Sequence, residues 1–86
     1  MKDSTYEGWK NRQTWNVALW INNDRNIYES MIEYVKTHNR IRYIDFIKYM
    51  GLEGSRTPDN IAWNGSRLSH KELTDMLREH KHNLTR

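Results

Sequence analysis

The chain has no cysteine, one proline, one phenylalanine and four glycines in 86 residues. Without thiols it can form neither a disulfide nor a thiolate metal site, and the lack of cysteine agrees with a reducing compartment. So few glycines and the single Pro58 leave no low-complexity linker and no glycine-rich phosphate loop. The longest apolar run is five residues, Val17, Ala18, Leu19, Trp20 and Ile21, far short of the ~20 that cross a bilayer. The first ten residues are polar with no apolar core, so no signal peptide is expected. A large excess of one charge is missing too: 14 Lys and Arg against 11 Asp and Glu leave +3, with the signs mixed along the chain. A nucleic-acid binder usually gathers its cations on one face; an excess this small permits such a patch without requiring one. These absences predict a soluble, cytoplasmic protein with no membrane association.

What is plentiful is aromatic surface, four Trp and five Tyr. A chain this short buries only about 60–65% of its unfolded surface, so large rings are its main means of stabilisation. The densest apolar block lies between Asn11 and Asn23 and predicts a central helix wrapped by later ones. Asn11 is a good N-cap, and Asn22 and Asn23 tolerate the left-handed conformation that ends helices. Asp24 is placed to cap a second helix over Arg25–His38, where Ile27, Tyr28, Met31, Ile32 and Val35 form one stripe of 3.6-residue period. A third helix is expected over Ile41–Met50, stopped by Gly51. Residues 51–67 read as a loop with Trp63 as its apolar anchor. Ser69 and Glu72 then form a capping box, with Leu68 and Leu73 as its hydrophobic staple. In the last helix Leu73, Met76, Leu77 and Leu84 carry the apolar face, with His80 beside them. Lys81 and His82 suit the negative end of that helix's dipole. Residues 1–10 read as an extended arm whose Tyr6 and Trp9 fold back over the core. The expectation is one all-α domain over 1–86: a small compact bundle of about four helices with an aromatic N-terminal arm.

Several segments coincide with a known pattern: Tyr6-Glu7-Gly8-Trp9, the run Asn11 to Asp24 containing Thr14-Trp15-Asn16-Val17-Ala18-Leu19-Trp20, Thr57-Pro58-Asp59, and Trp63 leading into Arg67-Leu68-Ser69. Together they resemble a family of small uncharacterised proteins of bacteriophages, cyanophages and bacteria, marked by Asn-x-x-Thr-Trp-Asn-Val-Ala-Leu-Trp. The resemblance implies a short phage-type accessory protein acting in the host cytoplasm by binding, and inhibiting, a host or defence-system protein. It assigns no catalytic role to any residue.

The residues themselves point the same way on catalysis. There is no nucleophile elbow, no phosphate loop and no carboxylate pair in an apolar setting, so no enzyme activity and no cofactor are expected. His38, His70, His80 and His82 are spaced so that no three converge, and no metal site is expected. Trp15 and Trp63 are expected in the core. Trp9, Asn16, Trp20, Tyr34 and Tyr49 are the candidates for contact with a partner protein. Lys36, His38, Arg40, Arg42 and Tyr43 crowd the short junction between the second and third helices, in outline a helix-turn-helix, and are the candidates for nucleic-acid contact. Tyr28, Tyr34, Tyr43 and Tyr49 also offer more aromatic surface than a small core needs, which leaves a homo-oligomer open.

Overall fold

The computed structural model describes residues 6–84. Four helices follow in order: α1 (Arg12–Asn23), α2 (Arg25–Thr37), α3 (Tyr43–Met50) and α4 (His70–Leu84). The all-α bundle expected from hydrophobic period is the fold observed. Its centre differs from expectation. α2 and α4 pack on each other, and α1 and α3 each pack against both. α1 is therefore a flank, because Trp15, Leu19 and Trp20 remain only half-buried while Val17, Ala18 and Ile21 alone enter the core.

Local chemistry explains the boundaries. Asn11 is extended, and its Oδ1 accepts the Thr14 N–H at 2.8 Å. Asp24 does two jobs: its N–H donates to the Trp20 carbonyl, closing α1, while its Oδ1 accepts the Ile27 N–H at 3.1 Å, opening α2. Asn22 and Asn23 stay helical, so the extended Asp24, not a left-handed asparagine, makes the turn. α2 stops at Thr37, one residue before the expected His38. Lys81 was expected to serve its own helix; instead its Nζ donates to the carbonyls of Val35 and His38, each at 2.7 Å. These are acceptors that the end of α2 would otherwise leave unpaired.

α3 starts at Tyr43, two residues later than expected. Ile41 is buried but precedes the helix, and the Tyr43 N–H is taken by the Thr74 hydroxyl at 2.9 Å. Gly51 closes α3 at φ 72, where a side chain would be strained, and Leu52 N–H bonds the Ile47 carbonyl at 3.0 Å. Between α3 and α4 the chain is irregular, with Trp63 only 3% exposed as its apolar anchor. The Tyr43 hydroxyl donates to the Trp63 carbonyl.

The N-terminal segment is more tightly folded than an extended arm. Tyr6 and Trp9 exchange backbone hydrogen bonds at 2.7 and 2.8 Å across Glu7 and Gly8, both at positive φ, as in a two-residue hairpin turn. Residues 1–5 of the expected arm lie outside the described residues. The capping box forms by half. Ser69 Oγ accepts the Glu72 N–H at 3.2 Å, but the Glu72 carboxylate accepts from Lys10 N–H at 2.8 Å, and Ser69 N–H goes to the Thr14 hydroxyl at 2.9 Å. Both departures tie the N-terminus of α4 to the start of α1. Trp15, expected in the core, is half-buried and meets the Tyr6 ring edge-on at 5.0 Å. Leu84, expected on the apolar face, is 45% exposed.

Candidate functional site

The polar residues of α1 converge on the loop. Asn16 and Trp20, one turn apart on the same face, both donate to Asp59 Oδ2, at 2.7 and 3.0 Å. The Thr57 hydroxyl donates to Asn16 Oδ1 at 3.0 Å and accepts the Ile61 N–H at 3.2 Å. At the other end of α1, Asn11 Nδ2 donates to the Arg67 carbonyl at 2.7 Å and the Thr14 hydroxyl to Asn11 Oδ1 at 2.6 Å. Thr14, Asn16 and Thr57 are each buried. The hydrogen bonds from Asn16, and then from Trp20, hold the Asp59 carboxyl below its ordinary value. Each of these groups is engaged within the fold, so the network fastens the loop to α1.

This placement corrects three contact candidates. Asn16 is 4% exposed and spent on Thr57 and Asp59. Tyr34 is 1% exposed: its ring packs on Phe46 at 5.5 Å, and its hydroxyl meets the Arg42 carbonyl at 3.3 Å. Tyr43 is fully buried on the Trp63 carbonyl, and burial pushes its phenol far above the ordinary tyrosine range. Neither phenol is open to a partner, because each ring is buried and its hydroxyl meets a main-chain carbonyl oxygen. Trp9, Trp20 and Tyr49 keep some exposure, each beside a different neighbour: Trp9 lines a cleft with Met76 and His80, Trp20 bonds Asp59, and Tyr49 meets His38.

The α2–α3 junction is built in the opposite way. His38 lies on the buried Tyr34, ring centroids 4.4 Å apart, and its Nδ1 is 2.9 Å from the Tyr34 carbonyl oxygen. Tyr49, 47% exposed, meets His38 edge-on at 5.6 Å and Tyr34 at 5.3 Å. Burial raises the Tyr34 phenol above its ordinary value, so it stays a neutral base for the two outer rings. Lys36, Arg40, Arg42 and Lys48, which border this pair along the chain, are all exposed. Ion pairs among the described residues are Arg25 with Glu29 and Lys71 with Asp75, and neither involves these four cations. Four of the five nucleic-acid candidates thus share an exposed segment, joined by Tyr49 from the other set.

Sequence reasoning passed over the stripe Lys71, Thr74 and Arg78 on α4. With Arg42, Ile44 and His70 it walls a cleft of about 440 Å³ beside the start of α3. Its i, i+3, i+7 spacing was the available signal. Among the described residues no three His, Asp or Glu side chains are grouped to hold a metal ion, and no helix is long and apolar enough to cross a membrane. A family model matches residues 2–83, and the chain belongs to that family, a family of unknown function (DUF7249). No curated protein and no solved structure matches the chain.

Proposed function

We propose that this chain is a non-enzymatic nucleic-acid-binding protein whose contact face is the α2–α3 junction. One observation carries the reading: an exposed ring pair, His38 and Tyr49, shares residues 36–49 with four exposed cations that have no carboxylate partner among the described residues. Cations neutralise phosphates and release counterions, and rings supply a stacking surface. Within residues 36–48 there are four cations against one carboxylate, the half-buried Asp45, and the carboxylate that shares a cleft with Arg42, Asp75, is paired with Lys71. The test is a titration of a labelled oligonucleotide at several salt concentrations. The wild-type protein binds with log affinity falling linearly in log salt. In Arg40→Gln/Arg42→Gln the slope flattens by about 1.4–1.8, from ~0.7–0.9 per phosphate contact. Absence of binding, or a slope that the double substitution leaves unchanged, contradicts the proposal.

A second reading is a phage-type accessory protein that binds and inhibits a host or defence-system protein in the host cytoplasm. Tyr6, 39% exposed and packed edge-on against the half-buried Trp15, favours it, since such amphipathic rings are enriched in protein interfaces. A stoichiometric band captured from nuclease-treated host lysate, and lost on Tyr6→Ala, supports this reading. Self-association through Tyr49 would appear in the same preparation as a mass that rises with concentration.

A further inference from the structure

The cationic surface of the junction continues into the cleft between α4 and the start of α3. Three cations and one anion line it: Arg42, Lys71, Arg78 and Asp75. Asp75 is already engaged by Lys71 at 2.9 Å. His70 is occupied too, with its ring edge-on to Tyr43 at 5.3 Å and Nε2 3.2 Å from the Gly65 carbonyl oxygen. Arg78 donates through Nε to the Ile41 carbonyl at 3.2 Å. That bond orients the guanidinium and leaves its terminal nitrogens for another acceptor. The Arg42 side chain has no hydrogen-bond or ion-pair partner among the described residues; only its main chain is used, by Tyr34 and by the Phe46 N–H. With Lys71 and Asp75 paired to each other, the groups of the cleft left free are the Arg42 guanidinium and the terminal nitrogens of Arg78, donors and positive.

Two features decide between paired and unpaired nucleic acid. The first is that α3 is a poor reading helix. It has eight residues, about 12 Å of length, and it turns Tyr43, Phe46 and Ile47 inward, leaving Lys48 and Tyr49 as its exposed residues. A major-groove helix needs several outward polar side chains near its start. The second is the ring pair itself. In a duplex each base is already stacked on both faces, so an exposed His or Tyr ring is useful only to a base that has left the stack. Tyr49 lies six residues beyond Tyr43, about 9 Å along the axis, so rings and cleft are within reach of one short strand.

Resting on the nucleic-acid reading above, we infer that the ligand is a single strand. Its unpaired bases stack on Tyr49 and His38, and its phosphates run past Arg40 and Arg42 into the cleft to Arg78.

Fluorescence anisotropy with a labelled single strand of about 12 nucleotides, within the ~4–16 of known single-strand sites, and with the duplex of the same sequence tests this. The single strand binds at least tenfold tighter than the duplex. Tyr49→Ala loses about fivefold or more and Tyr49→Phe restores it, while His38→Ala, at the outer ring, gives an independent loss. Arg78→Gln flattens the single-strand salt slope by about 0.7. Duplex bound as tightly as single strand overturns the inference and leaves the junction as a nucleic-acid face. So does a full response to Arg40→Gln/Arg42→Gln with none to Tyr49, His38 or Arg78. Failure of the folded wild-type protein to bind either probe overturns both.

Discussion

The start of α1 and the junction between α2 and α3 are both rich in polar and aromatic side chains, and they spend them differently. On α1 the polar groups point inward. Asn11, Thr14, Asn16 and Trp20 each hold a partner from residues 57–69, and three of the six residues Asn11, Thr14, Asn16, Trp20, Thr57 and Asp59 are buried. At the junction Lys36, Arg40, Arg42 and Lys48 face solvent beside two outer rings. A conspicuous motif thus marks the part of the chain that needs the most internal wiring, and a plain-looking turn marks the part with groups to spare. A buried polar group without a partner costs more than the bond it once made contributed, whereas an exposed cation is nearly free to change. The comparison therefore predicts that α1 substitutions report on folding and junction substitutions on binding.

The largest effect is expected where the loop meets the core. Trp63→Ala removes the anchor that the α1 network positions, and denaturant unfolding should show a loss of about 3–5 kcal/mol. Asn16→Ala comes next. It leaves the buried Thr57 hydroxyl without its acceptor and takes one donor from Asp59, so about 1–3 kcal/mol should be lost. The junction variant Arg40→Gln/Arg42→Gln should shift unfolding by no more than about 0.5 kcal/mol, as exposed sites do. If it destabilises as much as Asn16→Ala, the contrast between the regions fails.

Acid sharpens the contrast on the α1 side. The folded-state value of Asp59 is depressed by its bonds from Asn16 and Trp20. Its contribution is therefore fully present above the value of the unfolded chain and is lost as pH falls through the lowered folded value. Asp59→Asn should flatten that part of the stability–pH curve, measured by thermal melts across the acidic range. His80 gives the smallest effect. Burial holds its imidazole below the ordinary histidine value, against a weaker opposing pull from Glu79. Folding thus favours its neutral form, and stability should fall modestly as pH drops through the ordinary histidine range, a slope absent in His80→Gln.

Much of the fold was legible because it is local. The α2 stripe, Asp24 as a cap and Gly51 as a stop all follow from residues within a few positions of one another. What escaped was set by distant partners. Nothing near Ile41 says that the Tyr43 N–H will be taken by Thr74, 31 residues on, so the helix looked longer than it is. The capping box read correctly at Ser69 and failed at Glu72 because Lys10, 62 residues back, claimed the carboxylate. Tyr34 and Tyr43 looked available because the chain carries more tyrosine than a core this small seemed to need. Each hydroxyl instead found main-chain carbonyl oxygen, at Arg42 and Trp63. The junction cations were visible as a cluster, but the contact of His38 with Tyr49 was not, since the two belong to the ends of different helices.

On the reading proposed above, the junction binds while the α1 network only folds. The most direct measurement is one anisotropy titration with a single-stranded oligonucleotide, at fixed salt, of the wild-type protein, Arg40→Gln/Arg42→Gln and Asp59→Asn. The account predicts a loss of about tenfold or more for the junction variant, with Asp59→Asn binding as the wild type does wherever it is folded. Equal losses in the two variants, or wild-type affinity in both, would contradict it.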